Sequence, residues 1–257
     1  MRICSRTQKI ISHISLFFSC KGLILFLIFI HSSSLFSQSL QLQYDFRHSM
    51  DPQNNKSNFP SLFFELFKLV DYGSFFVKTQ ADFFGDHHNI GQFYMQISRD
   101  FKFWDPLFFL HIEYSGGVGV AEGTSYGYYV GNAYLFGSNY AFQWGNDWQS
   151  ISLCYRYSLL NRPSHDAQVT AYWSKHLLED RFTFAGSFVL FTQNRDRGDD
   201  LTKNLTGKKV FFWGQPQIWI NVTDNFFVGS QITLYYHIYS YSENLLVYPA
   251  LAMKYQF

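Results

Sequence analysis

The sequence predicts an all-β protein, a single antiparallel transmembrane β-barrel of about twelve strands. Three observations carry that reading. Segment after segment alternates apolar and polar side chains with a period of two, which turns one face of each strand to lipid and the other to a polar interior. The 257 residues are 47% hydrophobic and 21% aromatic, with 30 Phe and 18 Tyr, yet mean hydropathy is only -0.11. A helical membrane protein needs several apolar runs of about 20 residues; strands that mix the two classes one for one give a near-neutral mean instead. Third, the connections alternate long and short, as expected when one rim carries loops and the other turns.

The only long apolar run is 22–30, GLILFLIFI, preceded by Arg2, Arg6, Lys9 and Lys21 and followed by Ser32, Ser33 and Ser34. Its charged, apolar and small-residue regions have the order of a secretory signal. Residues 1–37 are therefore expected to be a signal peptide, cut after Ser34 or Ser37, and residues 38–257 the barrel. Without the leader, 16 Lys and Arg face 19 Asp and Glu, a net charge of about -3. No basic field remains to favour a nucleic acid polymer. Cys4 and Cys20 leave with the leader, so Cys154 has no intramolecular disulfide partner.

The first strand, 40–47, sets Leu40, Leu42, Tyr44 and Phe46 against Gln41, Gln43, Asp45 and Arg47. Strands 61–69 and 74–84 follow, the second placing Lys78, Gln80 and Asp82 on its polar face. Strand 90–100 opposes Phe93, Met95 and Ile97 to Tyr94 and Gln96, and strand 107–114 opposes Leu110 and Ile112 to His111 and Glu113. Segment 128–144, with Gly131 and Gly137, reads as one long bent strand or two short ones. The alternation returns at 149–157 (Ile151, Leu153 and Tyr155 against Arg156), then at 168–174, 182–192, 210–222, 226–236 and 246–257. Long connections are expected at 47–60, 115–127 and 194–208, short ones at 71–73, 145–147 and 223–225, with a polar stretch at 85–89 and a middling turn at 101–106. Phe257 ends the last strand on its apolar face, in the manner of a sorting signal for barrel-assembly machinery, and strands 246–257 and 40–47 should pair to close the barrel.

No enzyme motif stands out, and neither catalysis nor a cofactor is expected. Gly117, Gly119 and Gly123 read as loop glycines, because no helix follows to hold a phosphate. Asp86-His87-His88 offers metal-ligand types on one short loop, where adjacent residues rarely converge on one ion. The acidic stretch 196–200 reads as a solvated loop. A barrel hydrolase acting on outer-membrane lipids would need a serine such as Ser152 or Ser187 joined to His111 or His237, which the sequence places in strands without pairing them. The informative set is the inward one: Gln43, Asp45, Lys78, Gln80, Asp82, Tyr94, Gln96, His111, Glu113, Arg156, Trp213, Gln215, Gln217, Trp219 and Asn221. Both charge signs, many amides and several aromatic rings suit small polar solutes, the amides by hydrogen bonding and the rings by stacking. The alternative is a structural or adhesive barrel, whose polar interior satisfies itself and fills the lumen.

Trp213-Gly214-Gln215-Pro216-Gln217-Ile218-Trp219-Ile220-Asn221, followed by Phe226-Phe227-Val228-Gly229-Ser230-Gln231, resembles the Tsx-like nucleoside-specific outer-membrane channels, and most of all an uncharacterised, domain-of-unknown-function branch of that group. Asp71-Tyr72-Gly73, Gln80-Ala81-Asp82-Phe83-Phe84-Gly85, Phe93 to Arg99, His111 to Gly117 and Asn132 to Gly137 fit in the same order, over nearly the whole chain after the leader. The resemblance implies a narrow twelve-stranded barrel in the outer membrane that passes nucleosides and similar solutes. Gln96 and Gln215 stand where that pattern has Glu, which removes negative charge from the lumen. The partners so implied are outer-membrane lipid and lipopolysaccharide, the assembly machinery through Phe257, and small polar solutes.

Overall fold

A computed structural model describes residues 36–85, 89–104, 107–121, 126–145, 147–200, 202–239 and 243–257. The leader up to residue 35 and Asp86-His87-His88 lie outside the described residues. In chain order the elements are β1 (Phe36–Asp45), α1 (Arg47–Met50), β2 (Phe59–Val70), β3 (Gly73–Asp82), β4 (Gln92–Phe101), β5 (Phe108–Val120) and β6 (Gly127–Trp144). Then come β7 (Asp147–Ser158), β8 (Ser164–Leu177), β9 (Phe182–Asn194), β10 (Lys208–Gly214), β11 (Gln217–Asn221), β12 (Phe226–Tyr236) and β13 (Leu246–Gln256). Each strand is antiparallel to its neighbours, and β1 pairs β13 from Ser39 opposite Gln256 to Asp45 opposite Ala250, closing the sheet as the alternation of the first and last strands predicts.

The thirteen strands make twelve staves. Both β10 and β11 lie between β9 and β12, Gly214 opposite Phe188 and Leu234, Gln217 opposite Ala185 and Gln231. The residue offset to each neighbour is the same before and after the break, so no residue is inserted or lost. The interruption is Pro216, which has no N–H for the ladder. Gln215 N still donates to Ser187 O at 2.9 Å, and Pro216 O accepts from Ile232 N at 2.9 Å. The predicted strand 210–222 is thus one stave with a gap in its hydrogen bonding.

Leu42, Tyr44, Phe136, Leu153, Ile218, Ile220, Leu251 and Met253 are exposed on the outer surface. A surface this apolar is suited to lipid. Inside, most of the buried side chains are polar, and apolar clusters are small: Ala133, Leu135 and Cys154 on β6 and β7, and Trp219, Phe227 and Ala252 on β11 to β13. No helix of the described residues is long and apolar enough to cross a membrane.

Two expectations are corrected. The long connection at 115–127 is mostly strand: β5 runs to Val120 and β6 begins at Gly127, with a bulge between Ser115 and Gly117. A Cβ on Gly117 would stand 2.1 Å from Phe93 O, so this glycine permits close approach of two strands and is not a loop residue. Asn132 Oδ1 accepts from Gly117 N at 3.1 Å and caps the bulge. Segment 128–144 lies within one strand, Gly127–Trp144, of 18 residues. His237 lies beyond β12 with φ of 62°, outside any strand, its Nδ1 donating to Val210 O at 2.8 Å and its Nε2 lying 2.8 Å from Glu243. The long-short rhythm survives at 46–58 and 195–207, but 121–126 is no longer than the opposite turn at 102–107. We call the rim with residues 71–72, 102–107, 145–146, 178–181, 222–225 and the barrel's two ends the terminal rim, and the other the loop rim.

Candidate lumen of the barrel

The alternation of β10 continues through the break, so Trp213, Gln215, Gln217, Trp219 and Asn221 all face inward. From this stave two contacts cross the barrel. The rings of Trp213 and Tyr94, on staves β10 and β4 at opposite points of the wall, meet edge to face at 5.5 Å. Lys78 Nζ, on β3, donates to Gln215 Oε1 at 2.6 Å and lies 5.8 Å from the Trp213 ring. Nearer the terminal rim, Phe76 meets Tyr172 at 6.0 Å and Phe67 meets Trp148 at 5.8 Å. Individual side chains therefore bridge the interior at several levels.

The wall made by β11, β12, β13 and β1 carries a ladder of amides. Gln43 Nε2 donates to Gln41 Oε1 at 3.2 Å and to Gln231 Oε1 at 3.1 Å; Gln217 Nε2 reaches Gln231 Oε1 at 2.6 Å. Trp219 Nε1 donates to Gln217 Oε1 at 3.0 Å, and Gln41 Nε2 to Glu65 at 3.4 Å. Glu65 also lies 3.7 Å from Lys78. Trp219 is fully buried, its ring covered by the Lys254 ammonium 4.6 Å away. The ladder is neutral and satisfied, as buried polar groups must be.

The facing wall is charged. His111 Nδ1 lies 2.7 Å from Asp100, which also accepts from Ser74 at 2.8 Å and Asn139 at 3.0 Å. His111 Nε2 is 3.4 Å from Glu113 but aligned too poorly for a hydrogen bond. Gln96 Nε2 joins Glu113 at 2.8 Å and the Tyr172 hydroxyl at 2.7 Å. Arg156 donates to Gln168, Ser158 and Gly131 O, with its guanidinium 4.4 Å from the Phe191 ring. His111 thus takes its place beside two carboxylates. It is not bonded to a serine, and the described residues contain no grouping of three metal-ligand types.

At the loop rim, Asp45 holds Arg47 at 2.8 Å, and buried Asp82 accepts from Ser61, Gln80 and Gln92. At the terminal rim, a cavity of about 980 Å³ opens among Asp147, His176, Asp180, Asn221, Asp224 and Phe227. Asn221 is not deep in the lumen. It anchors the turn after β8 by donating to Asp180 O, where Leu178, Glu179 and Asp180 all have left-handed backbones.

The model of the family described as "Domain of unknown function (DUF5020)" matches residues 37–257. The chain belongs to that family. None of the curated proteins compared with this DUF5020 member matches it. Among solved structures it is similar to the KdgM porin, at 9% identity and a TM-score of 0.45 over 85% of this chain and 99% of that one. It is also similar to the translocator domain of the autotransporter NalP from Neisseria meningitidis, at 9% identity and a TM-score of 0.43 over 96% of this chain and 98% of that one. A third is Salmonella typhi OmpF in complex with daunomycin, at 9% identity and a TM-score of 0.40 over 87% and 97% of the two chains. At such identities the likeness is one of barrel architecture.

The DUF5020 lumen also uses residues that the sequence reading passed over as participants: Tyr172, Asp100, Gln231 and Lys254. Their inward phase was readable in each strand. Their partners lie on staves far apart in the chain, and alternation carries no information on that.

Proposed function

We propose that this barrel is an outer-membrane channel for passive diffusion of small polar solutes, with the terminal rim in the periplasm. The observation that carries the reading is the lumen itself: a hydrogen-bonding wall inside an apolar exterior, bridged at mid-height by side chains (Tyr94 with Trp213, Lys78 with Gln215) and not by an inserted domain among the described residues. A side-chain septum moves by rotamer change, and a channel binds weakly enough to release what it admits. Nucleosides are the substrate class favoured, on the Tsx-like resemblance and on the pairing of flat rings with amides. The cross-lumen contacts favour a second reading, a barrel with a closed lumen whose work is done by its loops.

Proteoliposome swelling separates the two. Nucleosides should enter faster than into empty liposomes, and Trp213→Ala should raise the rate several-fold. Sugars and amino acids of similar size entering as fast as nucleosides would remove the substrate class but keep the channel. If neither wild type nor Trp213→Ala exceeds empty liposomes, the closed barrel stands.

A further inference from the structure

At the level where the barrel is bridged, one buried donor of the lumen lacks an acceptor. The Trp213 indole N–H is shut off from solvent and has no hydrogen-bond partner among the described residues. A buried donor left unpaired forfeits the stability that a hydrogen bond would return. Trp219, on the same stave, donates its N–H to Gln217 Oε1 at 3.0 Å, so this wall can satisfy an indole. At Trp213 it does not, although Tyr94 holds the ring edge to face at 5.5 Å.

The group beside it is a donor as well. Lys78 is buried and reaches across from β3, its ammonium 5.8 Å from the Trp213 ring and 5.7 Å from the Phe63 ring. An ammonium carries three protons and no acceptor. One proton goes to Gln215 Oε1 at 2.6 Å, while Glu65 Oε1 lies at 3.7 Å, too far for a hydrogen bond. The other Glu65 oxygen already accepts from Gln41 Nε2 at 3.4 Å. The bridge is thus two donors side by side, an ammonium held by one amide oxygen from the opposite wall and an indole N–H held by none.

A ring carbonyl is the same kind of acceptor as the Gln215 amide oxygen. A solute that brings one can replace that oxygen on Lys78 with no net loss of hydrogen bonding, and the exchange unlinks β3 from the β10 stave. A second acceptor next to the first gives the Trp213 N–H the partner it lacks. We propose that the bridge selects flat rings with two adjacent acceptors on one edge, namely 6-oxopurine nucleosides; the inference rests on the nucleoside class given under Proposed function. O6 and N7 of such a base are both acceptors, and lysine is a common donor to that pair. Adenine carries an amino group where the carbonyl stands, so one donor of the bridge meets another donor. An indole N–H lies in the plane of its ring, so the base meets Trp213 at its edge and not its face.

The test is a ligand-observed NMR titration of the folded barrel in micelles with inosine and with adenosine, which differ in the group at position 6 and the proton on N1. Inosine should bind several-fold more tightly. Trp213→Phe keeps an aromatic ring and loses the N–H; it should weaken inosine several-fold and adenosine little. Heat-modifiable migration shows whether the variant has folded. Should it not fold, 7-deazainosine, which lacks the N7 acceptor, should bind wild type several-fold more weakly than inosine does. Equal affinity for the two nucleosides, or tighter binding of adenosine, overturns the selection and leaves a nucleoside channel standing. An inosine affinity untouched by the variant, or by loss of N7 where that is the measurement, also overturns it. Binding of neither nucleoside overturns the selection and the nucleoside class together, while liposome swelling with sugars and amino acids still reports on the channel.

Discussion

Lys254 shows how this chain houses charge at the level of a residue. Its ammonium lies 4.6 Å from the Trp219 ring and 4.5 Å from the Phe227 ring, held by two aromatic faces. Asp82 is the converse, a buried carboxylate held by a serine hydroxyl at 2.6 Å and two glutamine amides. Neutral donors in numbers do for it what one counter-ion does elsewhere. At the loop rim charge is handled openly. The Lys209 ammonium, 2.8 Å away, holds the exposed Glu243 carboxyl below the usual range by hydrogen bonding, with His237 Nε2 also at 2.8 Å. A carboxylate with a lowered pKa contributes its anchoring above its ordinary value, about 4.3, and loses it as the pH falls through the lowered one. The chain at His237 and at Glu243 should therefore resist proteolysis unchanged from neutral pH down to about 4.3 and become cleavable as the pH falls further. Glu243→Gln should be cleavable at neutral pH, and limited proteolysis across pH reads both. Inward residues such as Gln215 were legible from period-two alternation. That Gln215 meets Lys78, 137 positions away, was not, because pairing across a lumen depends on barrel diameter and stagger.

Among the elements, the stave of β10 and β11 is the irregular one. Opposite Pro216 lies Gly186, with φ of 155°, and a Cβ there would stand 2.5 Å from Gln215 O. The glycine makes room for a strand that cannot complete its ladder. Gly186→Ala should cost about 1–3 kcal/mol through overpacking and backbone strain, lowering the urea midpoint of the barrel in micelles. An unchanged midpoint would mean that the strand shifts freely at the break. The strands themselves were readable because lipid on one side and polar groups on the other impose a strict period. Glycine misled at 116–119. In a soluble protein such a cluster marks a turn, whereas here it relieves crowding at a bulge between β5 and β6.

For the molecule as a whole, closure depends on the last strand. Gln256 N donates to Asn225 O at 2.9 Å and Gln256 O accepts from Asn225 at 2.8 Å, fixing β13 beside the turn before β12. Phe257 follows with its side chain half exposed. Its deletion should leave the barrel refolded in detergent intact while sharply lowering the yield assembled by the cell's own machinery, both followed by heat-modifiable migration. Equal loss in the two settings would make Phe257 a packing residue and not a signal. The two walls of the interior also differ in what they offer a passing molecule. The amides of β1, β11 and β12 face, across the barrel, the charged groups of His111, Glu113 and Arg156 on β5 and β7. For the channel proposed above, one side is neutral and the other ionic. A solute with a neutral hydrogen-bonding edge and a strongly dipolar edge finds a fit in only one orientation, so such a lumen sorts molecules by how their charge is distributed, and an apolar solute of the same size gains nothing from either side.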